Sequence, residues 1–222
     1  MEMYRYDTHV HTSESSDCGE LPATDVVRLY KEAGYSGIVI TDHFHSFFFD
    51  RFPDLSWPDK VERYLLGYRL AVQEGSRIGL NVLLGMEMRF SESNNDYLVY
   101  GFDETFLLEH PALYRVGLRG FRDIIQGTGI RIYQAHPFRN GMERVDPKLL
   151  DGVEVFNGHP RHNSRNHLAR EFAVEHSIRM IAGSDSHEAG DVGSSGIMVP
   201  HPINTISEFV AFLDKNEGGL LT

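Results

Sequence analysis

The sequence predicts an α/β barrel whose reactive side chains gather at one rim. Apolar, β-branched segments alternate with stretches of helical periodicity along most of the chain, the pattern of parallel strands joined by helical crossovers. Histidines and carboxylates fall at the carboxyl ends of those strands, the face that carries the active site in closed α/β barrels. The chain has 222 residues and is 41% hydrophobic, enough to fill one such core.

The elements follow in order. MYRYD (3–7) is a short strand. ATDVVRLYKEAGY (23–35) has apolar residues at helical spacing, Thr24 as its cap and Gly34 as its stop. SGIVITD (36–42) is an apolar strand, and 58–77 is one helix. NVLLGMEMRF (81–90) and YLVYGF (97–102) are strands, and LRGFRDIIQGTG (118–129) is a helix ending in glycine. IRIYQAHP (130–137) and GVEVFN (152–157) are strands, NSRNHLAREFAVEHS (163–177) is a helix, and IRMIAGSDSH (178–187) is a strand with a polar end. A last helix covers 205–215. That makes about seven strands, with GIMVP (196–200) as a marginal eighth, and favours a slightly irregular barrel over an open doubly wound sheet. With no repeat, low-complexity tract or linker, 1–222 reads as one domain.

Composition excludes several classes. Twenty-one basic against 32 acidic residues leave a net charge of −11. A broad nucleic-acid surface needs clustered Lys and Arg, so none is expected. A small anionic substrate stays open, because a few arginines and bound cations can reverse the field in one pocket. No apolar run is long enough for a membrane span. No signal peptide is read at the N-terminus. A single cysteine, Cys18, excludes an intrachain disulfide framework, and a cytoplasmic location is expected.

The chemistry starts in DTHVHTSESSDCGE (7–20). His9 and His11 are two apart, so in a strand both face one side. Alone, that spacing fits a polar turn equally well. TDH (41–43), GME (85–87), AHP (135–137) and GSDSH (183–187) then add His43, Glu87, His136, Asp185 and His187 at strand ends, and Asp17 lies six residues past His11. Histidine and carboxylate donors without cysteine suit Zn, Mn or Fe.

This ordered set resembles the PHP (polymerase and histidinol phosphatase) family, from Asp7 to about Gly193. The resemblance implies a distorted (β/α)7 barrel with two or three divalent transition metals, Zn, Mn or Fe, at the carboxyl ends of the strands. It implies hydrolysis of a small phosphorylated substrate by metal-activated hydroxide, as in a histidinol phosphatase or nucleotide phosphatase. His9, His11, Glu87 and Asp185 would hold a first metal, and Glu87 would bridge to a second, bound also by His136. Asp17, His43 and His187 would hold a third, with Glu14 a competitor for Asp17. Glu87, Asp185 and His187 would carry catalysis. Where the family often has a further histidine, DYLVYG places Asp96, which is either a ligand of the second metal or a loop aspartate beside Asn94 and Asn95.

Arg139, just after AHPF, and Arg161, in the loop after GVEVFN, are the candidate substrate-binding residues, because a guanidinium forks onto phosphate oxygens. Arg165 is a weaker candidate, and His159 and His162 of the same loop are expected to be exposed. Asn157 and Asp7 are expected to orient ligands. HSFFFDRFPDLSW (45–57) is read as packing, SESS (13–16) as spacer and Cys18 as no nucleophile. An amidohydrolase is disfavoured because Glu87, not a lysine, stands at the bridge. An exonuclease and an inactive metal-binding regulator are the remaining alternatives.

Overall fold

The computed structural model describes residues 3–215 and 218–222. Its elements run Tyr4–Val10 (β1), Ala23–Glu32 (α1), Gly37–Ile40 (β2), His43–Phe44 (β3), Ser46–Phe49 (α2), Trp57–Tyr64 (α3), Leu66–Ile78 (α4), Asn81–Arg89 (β4) and Asp96–Tyr100 (β5). They continue with Glu104–Glu109 (α5), Gly117–Ile124 (α6), Arg131–Gln134 (β6), Gly152–Asn157 (β7), Asn166–His176 (α7), Arg179–Gly183 (β8), Gly196–Val199 (β9), Ile206–Lys215 (α8) and Gly219–Leu221 (β10). The sheet order is β10-β9-β1-β2-β4-β5-β6-β7-β8, with β3 on β4.

The ends of that order curl toward each other, giving a nearly closed barrel. Asp185 N donates to His9 O at 2.9 Å and His11 N to Ser186 O at 3.2 Å, just beyond β8. A Cβ on Gly183 would collide with the Cβ of His9, so glycine is what lets β8 approach β1 here. Strand periodicity then sorts the apolar residues. Val39 joins Tyr6, Tyr100, Tyr133, Ile181 and Phe209 in one cluster, while Ile38 and Ile40 join Val27, Tyr30 and Ala71 under α1 and α4.

The all-parallel expectation fails at β5, which runs antiparallel to both β4 and β6. Only residues 90–95 join β4 to β5, too few for a crossover, so the chain must turn back as a hairpin. GIMVP is a strand, antiparallel on β1. The expected single helix over 58–77 breaks between α3 and α4. Ser15 Oγ donates to the Tyr64 carbonyl at 2.7 Å, and that carbonyl sits at the end of α3. Thr24 does not cap α1. Glu14 does, its carboxylate accepting from Ala23 N at 3.0 and 3.1 Å. Among the described residues no helix is long and apolar enough to cross a membrane.

Candidate metal centre

Strands β1, β4 and β8 end at the same rim, and four of their residues converge there. His9, His11, Glu87 and Asp185 offer donor atoms within 4.8 Å of one another, all buried. His9 Nε2 lies 3.3 Å from Glu87 Oε1 and 3.4 Å from Asp185 Oδ1. His11 Nε2 lies 3.3 Å from Glu87 Oε2 and from Asp185 Oδ1. These separations match the edge of a tetrahedron with bonds of about 2.0–2.1 Å, the usual length to zinc. Both Nε2 atoms, with His43 Nδ1 and Glu87 Oε2, are buried without a hydrogen-bond partner. Buried polar atoms are otherwise paired, so this donor set fits a divalent cation.

The supporting bonds aim those atoms inward. Glu154 Oε1 accepts from His9 Nδ1 at 2.9 Å. Ser16 Oγ donates its proton to Asp42 Oδ1 at 2.7 Å and therefore accepts from His11 Nδ1 at 3.0 Å and from His43 N at 3.0 Å. The Asp185 carbonyl can only accept, so His187 Nδ1 donates to it, at 2.7 Å. Each ring thus presents Nε2 as its free donor atom. Asn157 donates to Glu154 Oε2 at 2.9 Å and to Asp185 Oδ2 at 3.2 Å. Asp7 accepts from the His9 backbone, not its ring, at 3.1 Å, so the ring-orienting role falls to Glu154 instead.

Two further groups adjoin the first. His11, His43 and His187 form one, and Glu87, Asp96 and His136 the other. Glu87 therefore faces four imidazoles, with His43 Nδ1 at 2.9 Å and His136 Nε2 at 3.1 Å. Asp17 is not brought into the rim. Its side chain is 62% exposed and pairs with Arg51. In an irregular loop, neighbouring residues point to different sides, and here Cys18 takes the inward one. Its Sγ lies 3.2 Å from His43 Nε2. Partial burial raises the thiol, but hydrogen bonds with His187 and His43 prevail and hold it down at about 6. His45 instead caps α2, accepting from Phe48 N at 3.2 Å.

Backbone strain marks the same rim. His136 and Asp185 have φ of 30° and 56°, the left-handed region that non-glycine residues seldom enter.

Charge is tightly balanced. Burial opposes the charged ring of His9, yet Asp185, Glu87 and Glu154 raise its pKa well above the ordinary value. His43 is likewise raised well above, against burial, by Glu87 and Cys18. Burial opposes the carboxylates of Glu87 and Asp185 too, but histidines, His9 foremost, hold both well below their usual range. At neutral pH the metal-free carboxylates are therefore already ionised while His9 and His43 keep protons. A metal needs the neutral rings. Metal uptake is expected to release protons at pH 7, and affinity to rise with pH. Isothermal titration in buffers of different protonation enthalpy measures this, and zero net release would contradict it.

A cavity of about 350 Å³ opens over the rim, lined among others by Cys18, Glu87, Arg89, Arg139, Arg161 and His187. A wider hollow of about 620 Å³ beside it shares only Arg139 and contains none of these clusters. Arg139 donates to Asp185 Oδ2 at 2.7 Å and to Asn157 Oδ1 at 2.8 Å. Arg161 reaches Asp191 at 2.8 Å and also Glu188. Arg165 binds the Phe138 carbonyl at 2.7 Å. His159 is 7% exposed, against expectation, because it packs on His162 and His187; His162 is exposed. Sequence reasoning read Ser16 as spacer and Cys18 only as no nucleophile, and it passed over Glu154 and Arg89. For Glu154 the signal was present, as the one charge within GVEVFN.

Comparison with known proteins agrees with this geometry. A family model described as PHP-associated matches residues 163–217, the stretch that supplies Asp185 and His187. A two-domain protein of Bacteroides vulgatus, described as containing a predicted PHP-like metal-dependent phosphoesterase, superposes with a TM-score of 0.69 at 17% identity. The match covers 99% of this chain but only 64% of that one, so the chain spans less than two thirds of its length. PsfC from Pseudomonas syringae follows at 0.65 and 16% identity, over 95% of this chain and 89% of that one. A protein of Bifidobacterium adolescentis, described as a metal-dependent phosphoesterase, gives 0.57 at 15% identity, over 95% and 96% of the two chains. No curated protein matches the sequence. The family-model match is confined to residues 163–217, and the solved structures show that the chain shares their fold.

Proposed function

We propose that the protein is a metal-dependent hydrolase of small phosphoesters. The observation that carries the reading is the Glu87 carboxylate, 1% exposed, set among four imidazoles, three of which, His9, His11 and His43, face it with nitrogens that have no hydrogen-bond partner. Bound divalent cations, of zinc, manganese or iron, would supply an activated water and neutralise charge at phosphorus. His9, His11, Glu87 and Asp185 would hold the first, with His43, His187 and Cys18 around a neighbouring one.

The remaining residues do ordinary polar work. Arg139 donates to Asp185 and, like Arg161, lines the cavity, which supports both as partners for phosphate oxygens. If its Nε2 is left uncoordinated, His187 would serve instead to protonate the leaving oxygen. The cavity size suits a metabolite-sized monoester better than a nucleic-acid end, which is the alternative. None of the described residues lining it is lysine, which supports the phosphoesterase over an amidohydrolase. The lone cysteine supports a reducing compartment, the cytoplasm.

Manganese-, zinc- or iron-loaded protein is expected to hydrolyse p-nitrophenyl phosphate, and to stop when a chelator strips the metal. Loaded protein that cleaves neither this ester nor any member of a panel of phosphorylated metabolites would be the inactive regulator. Faster cleavage of bis-p-nitrophenyl phosphate would favour the phosphodiesterase.

A further inference from the structure

The group formed by Glu87, Asp96 and His136 does not suit a cation as the first group does. Asp96 is already engaged: Arg89 Nε and Nη2 each donate to a separate Asp96 oxygen at 2.7 Å. The two residues are register partners across β4 and β5, so the sheet itself builds the fork. The Asp96 side chain is 3% exposed and that of Arg89 30%. His136 Nε2 stays with Glu87 at 3.1 Å and lies 4.0 Å from Asp96 Oδ2. Glu87 is shared with the first group, which leaves His136, itself bonded to Glu87, as the sole exclusive donor that Arg89 does not occupy. A divalent ion placed there would sit close to a guanidinium that has already neutralised its carboxylate, and like charges at such range repel strongly.

We propose that Arg89 takes the place of a metal on this side of the cavity. Its guanidinium, held by Asp96, is the second cation of the site and receives an anionic oxygen of the substrate. The fork occupies Nε and Nη2, leaving the Nη1 edge to donate elsewhere. Arg89 lines the same cavity as Arg139 and Arg161, so three guanidiniums surround it in a chain of net charge −11. This assignment rests on the phosphoester reading above, and makes the site a hybrid of metal and arginine.

Metal content and affinity for inorganic phosphate test it, on manganese-loaded protein. Asp96→Asn is expected to lose no metal. Arg89→Met, which unmasks the Asp96 carboxylate, is expected to gain an equivalent of metal. The double variant Arg89→Met/Asp96→Asn is expected to bind phosphate about tenfold more weakly, the scale of a lost charge-assisted bond. Arg89→Lys keeps the charge and should retain most of that affinity. Loss of a metal equivalent in Asp96→Asn, or unchanged phosphate affinity in the double variant, overturns the proposal. Wild-type protein that takes up no metal at all would instead sink the phosphoesterase reading, and the phosphate affinities of the same variants would still judge Arg89.

Discussion

Glu87→Gln is expected to lower kcat/KM for p-nitrophenyl phosphate by about a thousandfold or more, the scale of removing a principal electrostatic group from an active site. The change keeps the shape of the side chain and deletes its charge. Glu87 lies within 3.3 Å of His9, His11, His43 and His136, so no other carboxylate can replace it at all four. An amide also brings an N–H that can ligate nothing and must point at an imidazole. Metal analysis on the same sample separates lost binding from lost chemistry. Near-normal turnover would remove Glu87 from the centre of the site.

The second large effect is expected at a residue outside the donor set. Glu154 is 1% exposed and accepts from His9 Nδ1, His136 N and Asn157 Nδ2, each at 2.9 Å. Glu154→Gln must turn its new NH2 toward one of those donors. If it faces His9, the ring has to accept there and carry its proton on Nε2, the atom that would bind metal. If it faces His136 and Asn157, two further donors lose their acceptor. Metal affinity is expected to fall 10- to 100-fold, the usual consequence of losing such a support. Competition against a chromophoric chelator measures it, and an unchanged dissociation constant would show that Glu154 serves folding alone.

Residues anchored at strand ends were legible in the sequence because a strand fixes both side and place. His9, His11, Glu87, His136 and Asp185 meet at one rim for that reason, and the barrel followed from the alternation of strand and helix. What the sequence hid depends on loops and on pairing. Asp17 and Cys18 are adjacent in a loop without period, and nothing local says which of them turns inward. Ser16 read as spacer because its three bonds, to His11, Asp42 and His43, come from distant segments. Arg89 was invisible because its partner, Asp96, was weighed as a ligand or a loop aspartate and not as half of an ion pair. The reversal at β5 was hidden by a strand pattern that looks alike in either direction.

The left-handed backbone at His136 and Asp185 has a consequence for how such a protein ages. Each non-glycine residue held there costs the fold about 1–3 kcal/mol, in a domain whose whole margin is of the order of 5–15 kcal/mol. Glycine at either position would relax the chain while deleting a candidate ligand. Mutational drift that erases the site would therefore be rewarded, not punished, by folding. Only selection for activity keeps those two side chains in place, and descendants freed from that selection should become sturdier as they fall silent.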